Sequence, residues 1–241
     1  MLLLAGMGCG ATAVDEEPEN AIRILFIGNS LTQANNLPEM VAAMAEADRT
    51  RPVVIHEVTA GGTSLEDHWF LGRARETIQN DGPWDFVVMQ QGPSSLPENQ
   101  QHLAHWAQMF ATEIRAAGAI PALYMVWPGQ ARHFAFGDVV ASYTNAAKAA
   151  DARLLPAGSA FLAAWDRRSD LALYSADGFH PSPMGSYLAA LVIYAGLLDV
   201  PPGDVPTTLS LAGDQQVTIP TSVARIFKEA AAEVLAARNG P

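Results

Sequence analysis

A parallel β-sheet with helices on both faces is the architecture this sequence predicts, a three-layer α/β/α arrangement, and three observations predict it. Short apolar runs alternate with longer helix-forming stretches along most of the chain, the signature of βαβ units. The runs are continuously apolar, as strands buried on both faces must be. Each run then ends in a small or polar turn, which in open α/β sheets is where ligands bind.

Ile22 to Ile27 is the first strand, an aliphatic and aromatic run broken only by Arg23 and ended by Gly28-Asn29-Ser30. Leu37 to Ala47 is helix-forming, with Pro38 in its first turn. Pro52 to Val58 reads as the second strand and enters the turn-rich loop Thr59 to Ser64. A helix is expected from Ser64 to about Gln79, closed by the turn Asn80-Asp81-Gly82-Pro83. Asp85 to Met89 is the third strand, ending in Gln90-Gln91-Gly92-Pro93. Pro97 to Ala117 is a long helix with Leu103, Trp106, Phe110 and Ile114 on one face.

Ala119 to Trp127 is the fourth strand, Gly137 to Asp151 a helix, and Arg153 to Pro156 a short fifth strand. Ser159 to Asp166 is a further helical piece. Asp177 to Ser182 is a turn opening a helix that runs through Leu198. Val200 to Thr218 reads as Pro-rich and irregular, and a final amphipathic helix extends to about Ala237. Neither a Gly-x-Gly-x-x-Gly after a strand nor a Walker-type loop is present, which argues against a nucleotide fold.

With 49% hydrophobic and 16% charged residues, 241 residues suffice for one large core. The 25 acidic against 14 basic residues leave a formal net charge of -11, which argues against nucleic acid or an anionic membrane as partner. Residues 1–20 divide off from a domain expected over 21–241. Met1 to Ala13 is apolar and small, an acidic stretch follows, and together they read as the end of a secretory leader. Gly6-Met7-Gly8-Cys9 is similar to a bacterial lipobox, making Cys9 a candidate lipidation site. Export from a bacterial cell, to the periplasm, the outer membrane or the medium, is therefore expected, with any membrane contact through that anchor. Cys9 is the only cysteine, so neither an internal disulfide nor a cysteine-based zinc site can form.

Polar residues gather where a buried sheet would not otherwise select them: Ser30, Gly61-Gly62, Gln90-Gln91 and Asp177 with His180. A serine needs a general base, most often histidine, and that base needs a carboxylate to set its tautomer. Asp177 precedes His180 by three residues, so one loop can present both to Ser30. Backbone N–H groups at Gly61 or Gly62, and an amide of Gln90 or Gln91, could stabilise an oxyanion. Each feature alone reads more often as capping or turn chemistry than as catalysis. Their order along the chain is what points to a nucleophilic serine.

In these blocks the chain resembles the SGNH (GDSL-type) hydrolases, a superfamily of esterases and deacetylases. Gly28-Asn29-Ser30-Leu31-Thr32 matches the first block of that family, Ala60-Gly61-Gly62 the second, and Asp177-Gly178-Phe179-His180-Pro181 the last. The resemblance implies a flavodoxin-like fold, ester hydrolysis at Ser30 with His180 and Asp177, and no cofactor. The third block departs from the pattern. Most of the family has Gly-x-Asn-Asp where this chain reads Met89-Gln90-Gln91-Gly92-Pro93-Ser94. A subset similar to sialate and xylan acetylesterases places Gln beside the Gly, so a Gln amide from position 90 or 91 is expected to replace the Asn. That block and the leader direct the substrate expectation to O-acetyl groups on carbohydrate. A Gly-x-Ser-x-Gly elbow is absent, because Thr32 stands at its last position.

Trp69, beside the second-block loop, and Trp127, at a strand end, are the candidates for a substrate wall. The competing reading is an exported carbohydrate-binding or interaction module on the same fold. A metal site from His102, His105 and His133 has no accompanying carboxylate motif at ligand spacing, so no metal is expected.

Overall fold

The computed structural model describes residues 18, 20–47 and 51–238. The leader's first 17 residues, Cys9 among them, lie outside the described residues.

The strands are β1 (Ile22–Gly28), β2 (Val53–Thr59), β3 (Phe86–Met89), β4 (Ile120–Tyr124) and β5 (Arg153–Leu155). They form one parallel sheet in the order β2-β1-β3-β4-β5, with Ile24 beside Ile55 on one side and Phe86 on the other. This is the flavodoxin-like order, whose direction of winding reverses between β1 and β3. The crevice at that reversal lies beyond Gly28 and Met89. Ile24, Leu25, Phe26 and Ile27 are all fully buried. Each such side chain contributes about 1.5–3 kcal/mol by leaving water, well above the ~1 kcal/mol span of strand propensity. Packing therefore places this strand at the centre.

A single turn, α1 (Ser30–Gln33), follows β1 and leads into α2 (Leu37–Ala47). The segment after β2 forms two helices, α3 (Leu65–Leu71) and α4 (Arg73–Asn80), where the sequence predicts one. Gly72 separates them with φ 81, a conformation no helix can continue through. Then come α5 (Pro97–Ala116), α6 (Phe136–Ala150), α7 (Ala157–Arg167), α8 (Pro183–Leu198) and, last in the chain, α9 (Thr221–Arg238). Helices α3 to α6 pack together over one face of the sheet, and α2, α7, α8 and α9 over the other. α8 is the centre of its layer: Gly185 to Leu197 are all buried, so its sequence is apolar on every side.

Two more expectations need correction. β4 stops at Tyr124 because β5 has only three residues to pair with it. The Met125 N–H still donates to the Leu155 carbonyl at 3.0 Å, its own carbonyl accepts from the Gly158 N–H at 3.0 Å, and the chain then turns inward. The Pro-rich stretch after α8 holds an antiparallel hairpin, β6 (Thr208–Ser210) and β7 (Gln216–Thr218). Its strands are three residues each, too short for a periodic signal, and it is anchored on α2 and α8, with Leu209 buried.

Candidate active site

The end of β1 is built as a lattice of buried hydrogen bonds. Asn29 caps α1 by accepting from the Leu31 N–H at 3.1 Å, and its Nδ2 donates to the Thr63 carbonyl at 3.0 Å. Its backbone N–H and the Thr32 hydroxyl both donate to Gln90 Oε1, at 2.9 and 2.8 Å. Gly28 makes room for this arrangement: a Cβ there would collide with Thr32 Oγ1 and come within 2.7 Å of Gln90 Oε1. The Gly28 carbonyl accepts from Nε2 of the buried His68 at 2.8 Å. Carbonyls only accept, so His68 carries its proton on Nε2. Burial pushes its pKa below the ordinary 6.5, against the opposing pull of the Gly28 carbonyl. Ser30 emerges half-buried from this framework.

Across the crevice, the loop before α8 presents the other partners. His180 Nε2 lies 2.9 Å from Ser30 Oγ, and His180 Nδ1 lies 2.6 Å from Asp177 Oδ2. A carboxylate accepts, which puts the ring proton on Nδ1 and leaves Nε2 to accept from the serine hydroxyl. Asp177 Oδ1 also accepts from the Ser175 hydroxyl (2.8 Å) and the backbone N–H groups of Phe179 (2.8 Å) and His180 (2.9 Å). The His180 ring first, then these donors, hold the Asp177 carboxyl well below the usual carboxylate range. The loop is clipped on several sides. Trp127 Nε1 donates to the Phe179 carbonyl at 3.1 Å, the Gln130 N–H to the Gly178 carbonyl at 2.7 Å, and Asn35 Nδ2 to the Pro181 carbonyl at 3.0 Å.

The second-block loop turns at Ala60-Gly61-Gly62-Thr63, closed by the Thr63 N–H on the Ala60 carbonyl at 3.3 Å. Gly62 takes φ 76, the left-handed region that favours glycine. A lobe of the crevice of about 430 Å³ is lined by Ser30, Gly62, Gln91, Ser94, His102 and Phe179 among others. Gly62 faces this lobe and Gly61 does not. No described residue accepts from the backbone N–H of Ser30 or Gly62.

The two glutamines separate cleanly. Gln90 is fully buried: its Oε1 holds Asn29 and Thr32, its Nε2 donates to the Gln91 carbonyl at 2.5 Å, and it does not line the lobe. Gln91 does line it. Its Oε1 accepts from the Leu65 N–H at 3.2 Å, which turns Nε2 toward Ser94 Oγ at 2.9 Å. The remaining N–H has only a 3.5 Å contact with His102 Nδ1, at the edge of hydrogen bonding.

Neither tryptophan lines the crevice. Trp127 is fully buried and stacks on Phe161 at 3.8 Å, because the chain has already turned inward past β4. Trp69 packs in the helical layer between Phe110 and Trp106, with Arg75 over its ring. The three histidines weighed as metal ligands have separate partners: His102 pairs with Glu66 at 3.0 Å, His105 lies edge-on to Trp106, and His133 edge-on to Phe136. Among the described residues no group of three or more His, Cys, Asp or Glu could hold a metal ion.

Sequence reasoning missed Asn35, His68 and the His102–Glu66 pair. Asn35 left a trace, since Asn35-Asn36 is a pair suited to the left-handed region both occupy, at φ 56 and 55. The others had no local signal.

A doubly wound sheet with a hydroxyl–imidazole–carboxylate relay at its winding reversal is the architecture of a three-layer α/β/α hydrolase. Solved structures agree. A protein from Slackia heliotrinireducens assigned to the SGNH hydrolases is 33% identical, with a TM-score of 0.60, over 74% of this chain and all of that one. The chain belongs to the SGNH hydrolase superfamily, and by class it is a hydrolase. A DUF4886 family protein from Bacteroides uniformis shares the fold at TM-score 0.74 and 18% identity, over 90% of this chain and 95% of that one. An acetyl xylan esterase does so at 0.58 and 14%, over 72% and 98%. No protein-family model matches the chain, and no curated protein matches it.

Proposed function

We propose that the chain is a serine esterase in which Ser30, His180 and Asp177 carry out acyl transfer, acting on O-acetyl groups of carbohydrate. The observation that carries the mechanism is the unbroken relay from Ser30 Oγ through the His180 ring to Asp177. Ser30 Oγ attacks the ester carbonyl carbon while its proton passes to His180 Nε2. The carbonyl oxygen gains the negative charge, facing the N–H groups of Ser30 and Gly62 and the loosely held N–H of Gln91. Collapse breaks the bond to the alcohol oxygen, which takes the proton from Nε2. Water then repeats the sequence on the acyl-serine, releasing the acid and free Ser30. Asp177 keeps its charge throughout and steadies the imidazolium.

The carbohydrate assignment is supported by the Gln-bearing third block, the leader-like N-terminus and the side-chain hydroxyl and amide groups of Ser95, Asn99 and Gln130 among the residues that line the crevice. The acetyl xylan esterase among the fold neighbours agrees with it, at the level of fold. Ser30→Ala should abolish release of p-nitrophenol from its acetate ester and leave the circular dichroism spectrum unchanged. Full turnover by that variant would reject the mechanism and favour a binding module. Export is part of the proposal. Mass spectrometry of the protein from its native host should find a mature chain starting at or after Cys9, and an intact Met1 would remove it.

A further inference from the structure

The geometry points to Asn35 as a positioning residue for the reaction, one that fixes the distance between the nucleophile and its base. This rests on the ester-hydrolysis reading and adds a residue to it.

Ser30 and His180 are 150 residues apart in sequence, so the 2.9 Å between them is set by contacts between their two segments. The histidine loop's own bonds do not supply it. The Ser175 N–H donates to the His180 carbonyl at 2.8 Å and the Ser182 N–H to the Leu173 carbonyl at 2.9 Å, which fold the loop on itself. The donors of Trp127 and Gln130 tie it to the segment after β4, not to the serine.

Asn35 makes the connection. The turn α1 closes with the Ala34 N–H donating to the Ser30 carbonyl, which ties position 34 to the nucleophile's backbone. Asn35 and Asn36 then take left-handed angles, φ 56 and 55, which asparagine tolerates better than most residues. The amide nitrogen of the half-buried Asn35 spends both its hydrogens: one on the Pro181 carbonyl at 3.0 Å, the other on Ser186 Oγ at 2.9 Å. Ser186 is fully buried in the first turn of α8, and its hydroxyl donates to the Ala34 carbonyl at 3.3 Å. Pro181 follows His180 directly. The links therefore form a closed ring, from Ser30 through Ala34, Asn35, Pro181 and His180 back to Ser30 Oγ.

A ring this short leaves the imidazole little freedom to drift from the hydroxyl, and a misplacement of about 1 Å can cost roughly 10²-fold in rate. Asn35 does not line the crevice. Losing its amide should therefore affect the proton transfer and not the binding of substrate.

Three variants test this through p-nitrophenyl acetate turnover, thermal unfolding and the rate at which a fluorophosphonate labels Ser30. In labelling, Ser30 Oγ displaces fluoride from phosphorus while its proton passes to His180, so the rate reads the geometry of that pair. Asn35→Gly keeps the left-handed backbone and removes the amide. Its kcat and labelling rate should both fall ~10–100-fold, with KM within about twofold of wild type. Asn35→Asp keeps the size but sets an acceptor against the Pro181 carbonyl, so both rates should fall at least as far. It decides the matter if Asn35→Gly fails to fold. Ser186→Ala also leaves two groups without a partner, so its thermal midpoint should fall about as much as that of Asn35→Gly. Its bond from Asn35 to Pro181 remains, so kcat should stay within about threefold of wild type. Near-wild-type kcat and labelling in either Asn35 variant, a loss confined to KM, or an equal kcat loss in Ser186→Ala would overturn the inference, while wild-type turnover keeps the esterase reading intact. Neither turnover nor labelling by wild type would remove the esterase reading, and this inference with it.

Discussion

The two sides of the crevice hold their reactive groups by different physical means. The serine side is an extension of the core: Asn29, Thr32, His68 and Gln90 are buried, and each binds a group belonging to another segment of the chain. The histidine side is a surface loop. The side chains of His180 and Asp177 are 37% and 51% exposed, and the carboxylate is held by groups within three residues of it. Damage on the first side should therefore be felt as lost stability as well as lost turnover. On the second it should be felt as lost turnover alone.

The sharpest contrast comes from the exposed pair. His180→Ala should lower kcat by about 10⁴–10⁶-fold and Asp177→Asn by about 10³–10⁴-fold. Neither should move the thermal midpoint much, and calorimetry beside kinetics would show it. Because its partners hold Asp177 ionised well below the usual carboxylate range, the acid limb of kcat/KM should carry no second proton from that carboxylate and be first order in protons. An acid limb of second order in protons, or a large stability loss in Asp177→Asn, would break the contrast.

The glutamines test it from the other side. Gln91→Ala removes a donor facing the developing oxyanion, so kcat should fall by roughly 10²–10³ at nearly constant KM. Gln90→Ala leaves the Asn29 N–H and the Thr32 hydroxyl buried without their acceptor, a loss of about 2–4 kcal/mol. Urea unfolding of both variants beside their kinetics would separate the roles. A stable Gln90→Ala protein with depressed kcat would exchange them.

The smallest effect is expected at His68. Burial lowers its pKa, so the unfolded chain binds this proton more readily than the folded one. Its contribution to stability is complete above the ordinary value of 6.5 and declines as pH falls below it. His68→Gln retains an N–H donor without a titrating ring and should lose less stability between neutral pH and pH 5. Parallel unfolding curves for the two proteins across that range would count against a buried neutral histidine under the serine.

How legible each part was follows the range of the interaction behind it. The strand before Gly28 is evident from a run of neighbouring apolar residues, and the Asp177–His180 loop from a spacing of three. The helix break at Gly72 was missed because one glycine in a helical pattern reads as tolerated, and the left-handed angle there is a tertiary outcome. Trp127 looked like a wall residue on a strand-end argument. The strand had already lost its partner and turned into the core.

By itself the sequence determined the alternation of strands and helices, the tight turn at Gly28 and the order of serine, glycine loop, aspartate and histidine. Those are properties of neighbours, set by periodicity and turn chemistry. Only the tertiary structure decided which glutamine faces the crevice and that Gly62 and not Gly61 lines it. Adjacent side chains such as Gln90 and Gln91 point to opposite sides, and which side is core depends on a pairing with β1. The Thr32 hydroxyl that fixes Gln90 in place is 58 residues away along the chain, a distance over which no local pattern carries information.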